Sequence, residues 1–243
     1  NIPTYSGGTS APGGGYYNND FISAVQIFGD NSTSIHNYLH DNLCASCVAV
    51  GGPYCQRHAC HPTDYTIFPP SFPGTYMNRG PLQVTQGKGV RNGTAPYVLK
   101  TECGTWYSAN TIGVFIDWNK DGDFDDTYNG TGGMIYENYG SKQQTQCLNM
   151  GLPKAAWGAN TSWNISVPKT TDVVTDQNNA LQPPNNSTGP IITGNVRMRI
   201  REVYAAPGSV AGVIGVHPTQ SGFTWGEVED YTFKVLPPPP PLT

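Results

Sequence analysis

The sequence predicts an all-β protein, a β-sandwich or jelly roll with a disulfide-stapled insertion and extended N- and C-terminal segments. Along most of its 243 residues, short runs rich in Val, Ile, Tyr, Phe and Thr alternate with clusters of Gly, Pro and Asn. This alternation is typical of short strands separated by turns. The 29 glycines and 21 prolines supply frequent breaks between elements. No apolar run reaches the roughly eighteen residues that a membrane-spanning helix needs.

The chain divides into three predicted parts. Residues 1–19 form an N-terminal arm rich in Gly, Ser and Pro, without a periodic pattern. Residues 20–236 form the predicted sandwich, which contains a cysteine-rich insertion at about 36–62. Residues 237–243 form a polyproline tail that cannot continue a sheet. We expect the arm and the tail to pack on neighbouring subunits.

Eight segments are predicted as strands: 21–28, 64–68, 80–86, 97–102, 111–118, 161–167, 196–203 and 227–235. The segment at 196–203 alternates most clearly, with Met198 and Ile200 on one face. Its opposite face carries three arginines: Arg197, Arg199 and Arg201. One helix is predicted at 34–43, where the apolar residues at positions 35, 38, 39 and 43 would share a face.

Six cysteines favour an oxidising compartment: Cys44, Cys47, Cys55, Cys60, Cys103 and Cys147. An even number in such a chain predicts three disulfides. We expect local pairing among the first four, which leaves Cys103 to pair with Cys147. Two alternatives remain open for the first four cysteines, a zinc site that includes His61 and a redox-active Cys44–Cys47 pair.

The composition indicates a secreted glycoprotein. Charged residues make up only 12% of the chain, against about 25% in ordinary domains. The net charge of −4, without a basic block, argues against nucleic-acid binding. The chain begins at Asn1, and we expect a mature protein whose signal peptide has been removed. Seven N-glycosylation sequons are present: Asn31, Asn92, Asn129, Asn160, Asn164, Asn185 and Asn186.

The segment at 117–126, DWNKDGDFDD, is the strongest functional signal. It places five carboxylates and one carboxamide in ten positions of a chain that has only 17 acidic residues. Oxygen ligands at alternate positions, with Gly122 at the sixth, predict a calcium loop. The alternative is an acidic surface turn. The twelfth position, where a helix–loop–helix calcium site has a glutamate, is Tyr128. The predicted ligands are Asp117, Asn119, Asp121 and Asp123.

A second group of carboxylates, Glu227, Glu229 and Asp230, lies near the C-terminus. We expect these residues to form cross-strand ion pairs with the arginines of 196–203. Metal contact and catalysis are the alternatives. The sequence contains no nucleophile elbow, zinc-helix motif or phosphate loop, and the five histidines form no catalytic motif. They are His36, His40, His58, His61 and His217. We therefore expect no enzymatic activity.

The string GEVEDY at 226–231, which runs into the last predicted strand, resembles the signature of the GEVED domain family. The acidic loop at 116–126 and the segments at 20–27, 63–66 and 196–201 resemble further family motifs in the same order. The resemblance implies a secreted, calcium-loaded β-sandwich without a catalytic centre. Asp126 matches an acidic position of the family loop, so we expect it to complete the ligand set in place of Tyr128.

The family resemblance extends to subunits of glycosylated extracellular filaments attributed to microalgae. It therefore predicts a structural subunit that assembles head-to-tail with copies of itself through its terminal segments. A monomeric calcium-dependent adhesion or carbohydrate-binding module is the second hypothesis, and a glycan-acting enzyme is the third. Proline runs of algal walls are often hydroxylated and O-glycosylated, which implies the same modification here at Pro237, Pro238, Pro239, Pro240 and Pro241.

Overall fold

The computed structural model of the chain describes residues 21–38, 65–68, 77–78, 82–89, 94–104, 110–130, 132–144, 161–175, 193–204, 216–219 and 226–240. All regular secondary structure in these residues is β-strand, which confirms the predicted all-β class. The strands are β1 (Phe21–Phe28), β2 (Ser34–Tyr38), β3 (Tyr65–Phe68), β4 (Met77–Asn78), β5 (Gln83–Thr85), β6 (Tyr97–Gly104), β7 (Asn110–Asp117), β8 (Thr127–Gly130), β9 (Gly133–Tyr136), β10 (Asn138–Gln144), β11 (Ser162–Ile165), β12 (Val173–Thr175), β13 (Gly194–Tyr204) and β14 (Gly226–Leu236). None of the described residues belongs to a helix that could cross a membrane.

The first sheet has five antiparallel strands in the order β11-β6-β1-β2-β4. Strands β1 and β2 form a hairpin around a tight turn, in which Asn31 and Ser32 have φ angles of 54° and 60°. The Thr33 N–H donates to the Asp30 carbonyl at 3.0 Å and closes this turn. Two consecutive left-handed residues match the twist of the flanking strands, so the chain returns alongside β1.

The helix predicted at 34–43 is wrong for residues 34–38, which form β2. Ile35 lies opposite Ile27 of β1, and both side chains are buried. The apolar spacing of this segment fits a helix, but the preceding turn brings the backbone into hydrogen-bonding distance of β1. Tertiary pairing therefore overrides the local pattern. Residues 39–43 lie outside the described part of the chain.

The second sheet has six strands, in the order β10-β7-β13-β14-β3, with β5 also paired to β14. Strands β10, β7, β13 and β14 are antiparallel to their neighbours, whereas β3 and β5 run parallel to β14. The β13–β14 register runs without a shift from Gly194 opposite Val235 to Val203 opposite Gly226. All of β7 is buried, because both faces of this strand are covered.

A third sheet of three strands, in the order β12-β8-β9, begins directly after the acidic loop. Its β8–β9 hairpin turns at Gly132 and Gly133, whose φ angles of 108° and 119° suit glycine. Neither this sheet nor β10 is among the segments predicted as strands. Strands β8, β9 and β12 are only three or four residues long, and β10 carries a single aromatic side chain, Tyr139, so none of them shows a clear period of two. Together they hold the exit of the acidic loop.

The core lies between the first and second sheets. One cluster of buried residues draws Val25 and Leu99 from the first sheet and Met198 and Phe233 from the second. Trp118, at the start of the acidic loop, packs edge-on against Phe233 with ring centroids 5.7 Å apart. Two facing sheets with a shared apolar layer make the fold sandwich-like.

A smaller apolar cluster covers the other face of the second sheet. Its members are Phe115, Phe124, Val203, Val216 and Val228. Phe115 comes from β7 and Phe124 from the acidic loop, so the loop lies on this outer face. The loop is therefore part of the packing of the fold.

Several predicted features fall outside the described residues: the arm at 1–19, the insertion beyond residue 38, Pro241 and five of the six cysteines. Cys103 is the described cysteine. It is buried in β6 and disulfide-bonded, and its partner lies outside the described part. Residues 237–240 follow β14 and are exposed.

Candidate metal centre

The acidic loop, residues 117–126, connects β7 to β8 through a series of tight turns. Each turn is closed by a side-chain oxygen that accepts the backbone N–H two residues later. Asn119 Oδ1 accepts from Asp121 at 3.2 Å, Asp121 Oδ1 from Asp123 at 3.2 Å, and Asp123 Oδ1 from Asp125 at 3.3 Å. Gly122 has a φ of 102°, which is why glycine occupies this position. These turns bend the loop around one centre.

Three carboxylates converge at that centre. Asp121, Asp123 and Asp126 each place one oxygen within 4.8 Å of the others. The Nδ2 of Asn119 donates to Asp121 Oδ2 at 2.7 Å and also to Asp126 Oδ2. The positive end of the Asn119 amide dipole thus bridges two carboxylates. Rotation of that amide would present its oxygen to the centre instead, and Asn119 and the three carboxylates would then offer only oxygen ligands.

Asp117 lies at the inner end of the loop and is outside the group of three. Its Oδ2 is 3.6 Å from Arg197 Nη2, while its buried Oδ1 has no hydrogen-bond partner in the described part of the chain. Burial raises the pKa of Asp117 to about 6. Arg197 opposes this rise, and the Asp121 and Asp123 carboxylates add to it. The inner end of the loop is therefore rich in negative charge that the protein compensates only in part.

Glu137 is a residue of this site that sequence reasoning missed. It lies between β9 and β10 and is fully buried. Its Oε1 accepts hydrogen bonds from the Trp118 N–H at 2.7 Å and the Tyr128 hydroxyl at 2.6 Å. Burial raises the pKa of Glu137 to about 10 against the effect of these hydrogen bonds, with smaller upward contributions from Asp117 and Asp126.

The backbone of Glu137 joins both ends of the acidic loop. Its N–H donates to the Asp126 carbonyl at 3.0 Å, and its carbonyl accepts from the Ile116 N–H at 2.9 Å. The pairing of β10 with β7 and that of β9 with β8 together bring residue 137 to this place. The sequence offers a weak signal at best, a single acidic residue within the otherwise uncharged run at 134–138.

Phe124 anchors the outer side of the loop. Its ring lies 6.0 Å from that of Phe115, and the guanidinium carbons of Arg197 and Arg199 lie 5.1 and 5.4 Å from its centroid. Arg199 also forms two hydrogen bonds of 2.7 Å with Asp230. The acidic loop and the carboxylates of the C-terminal strand therefore belong to one packed unit.

The carboxylates of residues 227–230 have different structural roles. Asp230 forms the cross-strand ion pair with Arg199. Glu229 is buried, and its Oε2 accepts a hydrogen bond of 2.6 Å from the Tyr231 hydroxyl. The side chain of Glu227 lies outside the described part. Among the described residues, the converging acidic group is the one in the loop.

Three of the predicted sequon asparagines are described, and all three are exposed. Asn31 lies in the β1–β2 turn, Asn129 in β8 and Asn164 in β11. The other four lie outside the described residues: Asn92, Asn160, Asn185 and Asn186. Asn129 follows the loop by three residues, so a glycan there would stand near the candidate centre.

These residues fit a hard divalent cation. Three carboxylates meet within a few ångströms, two further buried carboxyl groups adjoin them, and the available donors are oxygens. Arg197 pairs with Asp117, at the inner end of the loop, at the long distance of 3.6 Å. Like charges held this close repel each other, and a bound cation would relieve the repulsion.

Comparison with known families matches the GEVED domain to residues 111–234. The chain belongs to the GEVED domain family. The match begins in β7, contains the acidic loop and Glu137, and ends in β14. Strands β1, β2 and β6 precede the matched region, yet they share a core with it. Neither curated proteins nor solved structures gave a significant match.

Proposed function

We propose that this GEVED protein is a calcium-braced structural subunit of an extracellular, glycosylated filament or surface coat. The observation that carries the proposal is the convergence of Asp121, Asp123 and Asp126 on one centre in a loop packed against the sandwich. The proposed ligands are Asp117, Asn119, Asp121, Asp123 and Asp126. Bound calcium would neutralise their charge and fix the loop, which is a structural and not a catalytic role.

Assembly would use the terminal segments. Among the described strands, β11 and β4 lie at the edges of the first sheet, and β10 and β3 lie near those of the second. An edge strand offers unpaired backbone groups to an added strand. We propose that the arm at 1–19 adds to such an edge of the next subunit. A head-to-tail contact of this kind extends into a filament when it does not close.

N-glycans at the sequons would cover the lateral surface of the filament. The exposure of Asn31, Asn129 and Asn164 supports this part of the proposal, since a glycan needs an accessible side chain. The proposal also places the protein outside the cell, where disulfides persist. The disulfide at Cys103 supports that placement.

Electron microscopy of the purified full chain, with calcium and with a chelator, tests the proposal. We expect filaments with calcium and dispersed particles after chelation. A variant that lacks residues 1–19 should bind calcium and fail to assemble. Dispersed particles under every condition would exclude the filament.

A second candidate is a monomeric calcium-dependent adhesion or carbohydrate-binding module. The exposed side chains of Met134 and Tyr136 favour it, because they lie on β9, next to the strand that leaves the loop. Aromatic and thioether groups at such a place suit contact with a ligand. A glycan array would test this candidate: calcium-dependent binding that is lost in Tyr136→Ala and kept without residues 1–19 would support it.

A further inference from the structure

The carboxyl group of Glu137 lies next to both ends of the acidic loop. Its Oε1 accepts from the Trp118 N–H and from the Tyr128 hydroxyl, at 2.7 and 2.6 Å. Trp118 lies at the entrance of the loop and Tyr128 just beyond its exit. The carboxyl group is therefore fixed at the place where the loop closes on itself.

The second oxygen of this carboxyl group, Oε2, is buried and has no hydrogen-bond partner in the described part of the chain. The side chain of Glu137 is fully buried. Asp117, whose carboxylate acts electrostatically on Glu137, has an unpartnered buried oxygen of its own, Oδ1. Buried carboxyl oxygens are ordinarily hydrogen-bonded or bound to a metal. The group of converging carboxylates, Asp121, Asp123 and Asp126, does not itself include these two residues. The Glu137 N–H, however, donates to the carbonyl of Asp126 at 3.0 Å, so Glu137 is next to that group. Two buried oxygens without partners at this place point to a shared cation.

The identity of residue 128 supports the same reading. In helix–loop–helix calcium sites the twelfth loop residue is a glutamate that binds the ion with both oxygens. Here that residue is Tyr128, and its hydroxyl holds the carboxyl group of Glu137. The glutamate that is missing at position 128 is thus replaced by Glu137, which comes from the β9–β10 connection and is hydrogen-bonded to Tyr128.

We propose that Glu137 is a further ligand of the divalent cation, which it reaches through Oε2 from the β9–β10 connection. This inference rests on the proposed cation site and adds to it a residue eleven positions beyond the loop. The cation would then tie the loop directly to the strands β9 and β10. Its removal would loosen this whole end of the sandwich.

The test uses the full chain and the variant Glu137→Gln, which keeps the shape of the side chain and the acceptor at Oε1. Calcium binding is measured by calorimetry. Terbium luminescence lifetimes in H2O and D2O count the water molecules on the bound ion. We expect Glu137→Gln to lose at least about tenfold in calcium affinity. We also expect it to gain about one water molecule on terbium, because water would take the place of the lost Oε2 ligand. A merely structural role of Glu137 would leave this number unchanged.

Glu202→Gln is the matched control, since Glu202 is equally buried but lies on β13, five residues beyond Arg197. It should bind both ions like the wild type. If Glu137→Gln does not fold, Glu137→Asp replaces it, and the shorter acid should also admit one water. Wild-type affinity and hydration in the Glu137 variant would overturn the inference while leaving the loop site intact. Absence of binding to the wild type would overturn the loop site itself.

Discussion

Arg199 and Asp230 face each other across β13 and β14 and form a buried ion pair with two hydrogen bonds of 2.7 Å. Arg199 also lies over the ring of Phe124 in the acidic loop. Asp230 is the last residue of the string for which the family is named. The pair therefore connects the GEVED string to the acidic loop, because Asp230 fixes the arginine against which the loop packs.

Removal of one partner of this pair should destabilise the fold strongly. Asp230→Ala leaves the Arg199 guanidinium buried without its carboxylate, and we expect a loss of about 3–5 kcal/mol in the free energy of unfolding. Urea denaturation followed by tryptophan fluorescence measures the loss. The double variant Arg199→Met with Asp230→Leu removes both charges and should be closer to the wild type. If the double variant lost as much unfolding free energy as the two single substitutions added together, the two residues would act independently.

The ring of Phe124 should be required for loop packing. Phe124→Ala deletes a buried ring beneath Arg197 and Arg199 and should cost about 3–5 kcal/mol of unfolding free energy. It should also weaken calcium binding, because the loop loses its anchor. Phe28→Ala is the control, since that ring is 62% exposed. Equal stabilities of the two variants would contradict the anchoring role.

Calcium should stabilise the protein through the acidic loop. At a free calcium concentration of a hundred times Kd, linkage predicts about 2.7 kcal/mol of added stability. Asp121→Asn should abolish the gain with little effect on the calcium-free fold, because Asp121 is exposed. The control variant Asp172→Asn, in a turn before β12, should keep the calcium-dependent gain in stability. Differential scanning calorimetry with calcium and with a chelator measures the shift, and a full gain in Asp121→Asn would exclude the loop as the site.

The sequence was sufficient where the information is local. Strand β13 alternates regularly, and the predicted segment at 21–28 coincides with β1. The candidate ligands of the loop were found because they are contiguous. The secondary structure around Ile35 was predicted wrongly as a helix. The turn at Asn31 and Ser32 makes this segment a strand, whatever its apolar spacing. Glu137 was missed because the pairings of β10 with β7 and of β9 with β8, which the weak patterns of these strands do not reveal, bring it to the loop.

Acid should weaken the fold through Asp30. Burial alone would raise the pKa of this carboxyl group, but hydrogen bonds from Tyr97, Thr85 and Lys88 outweigh that effect and lower the pKa below its ordinary value. A lowered folded-state pKa means that the stabilisation is complete above the unfolded pKa of about 3.9 and is lost as the pH falls through the folded value. Asp30→Asn should therefore be less stable than the wild type at pH 7, and the difference should shrink below about pH 4. Urea denaturation of both proteins across this range measures it. A difference that stays constant with pH would show that the Asp30 charge contributes nothing to stability.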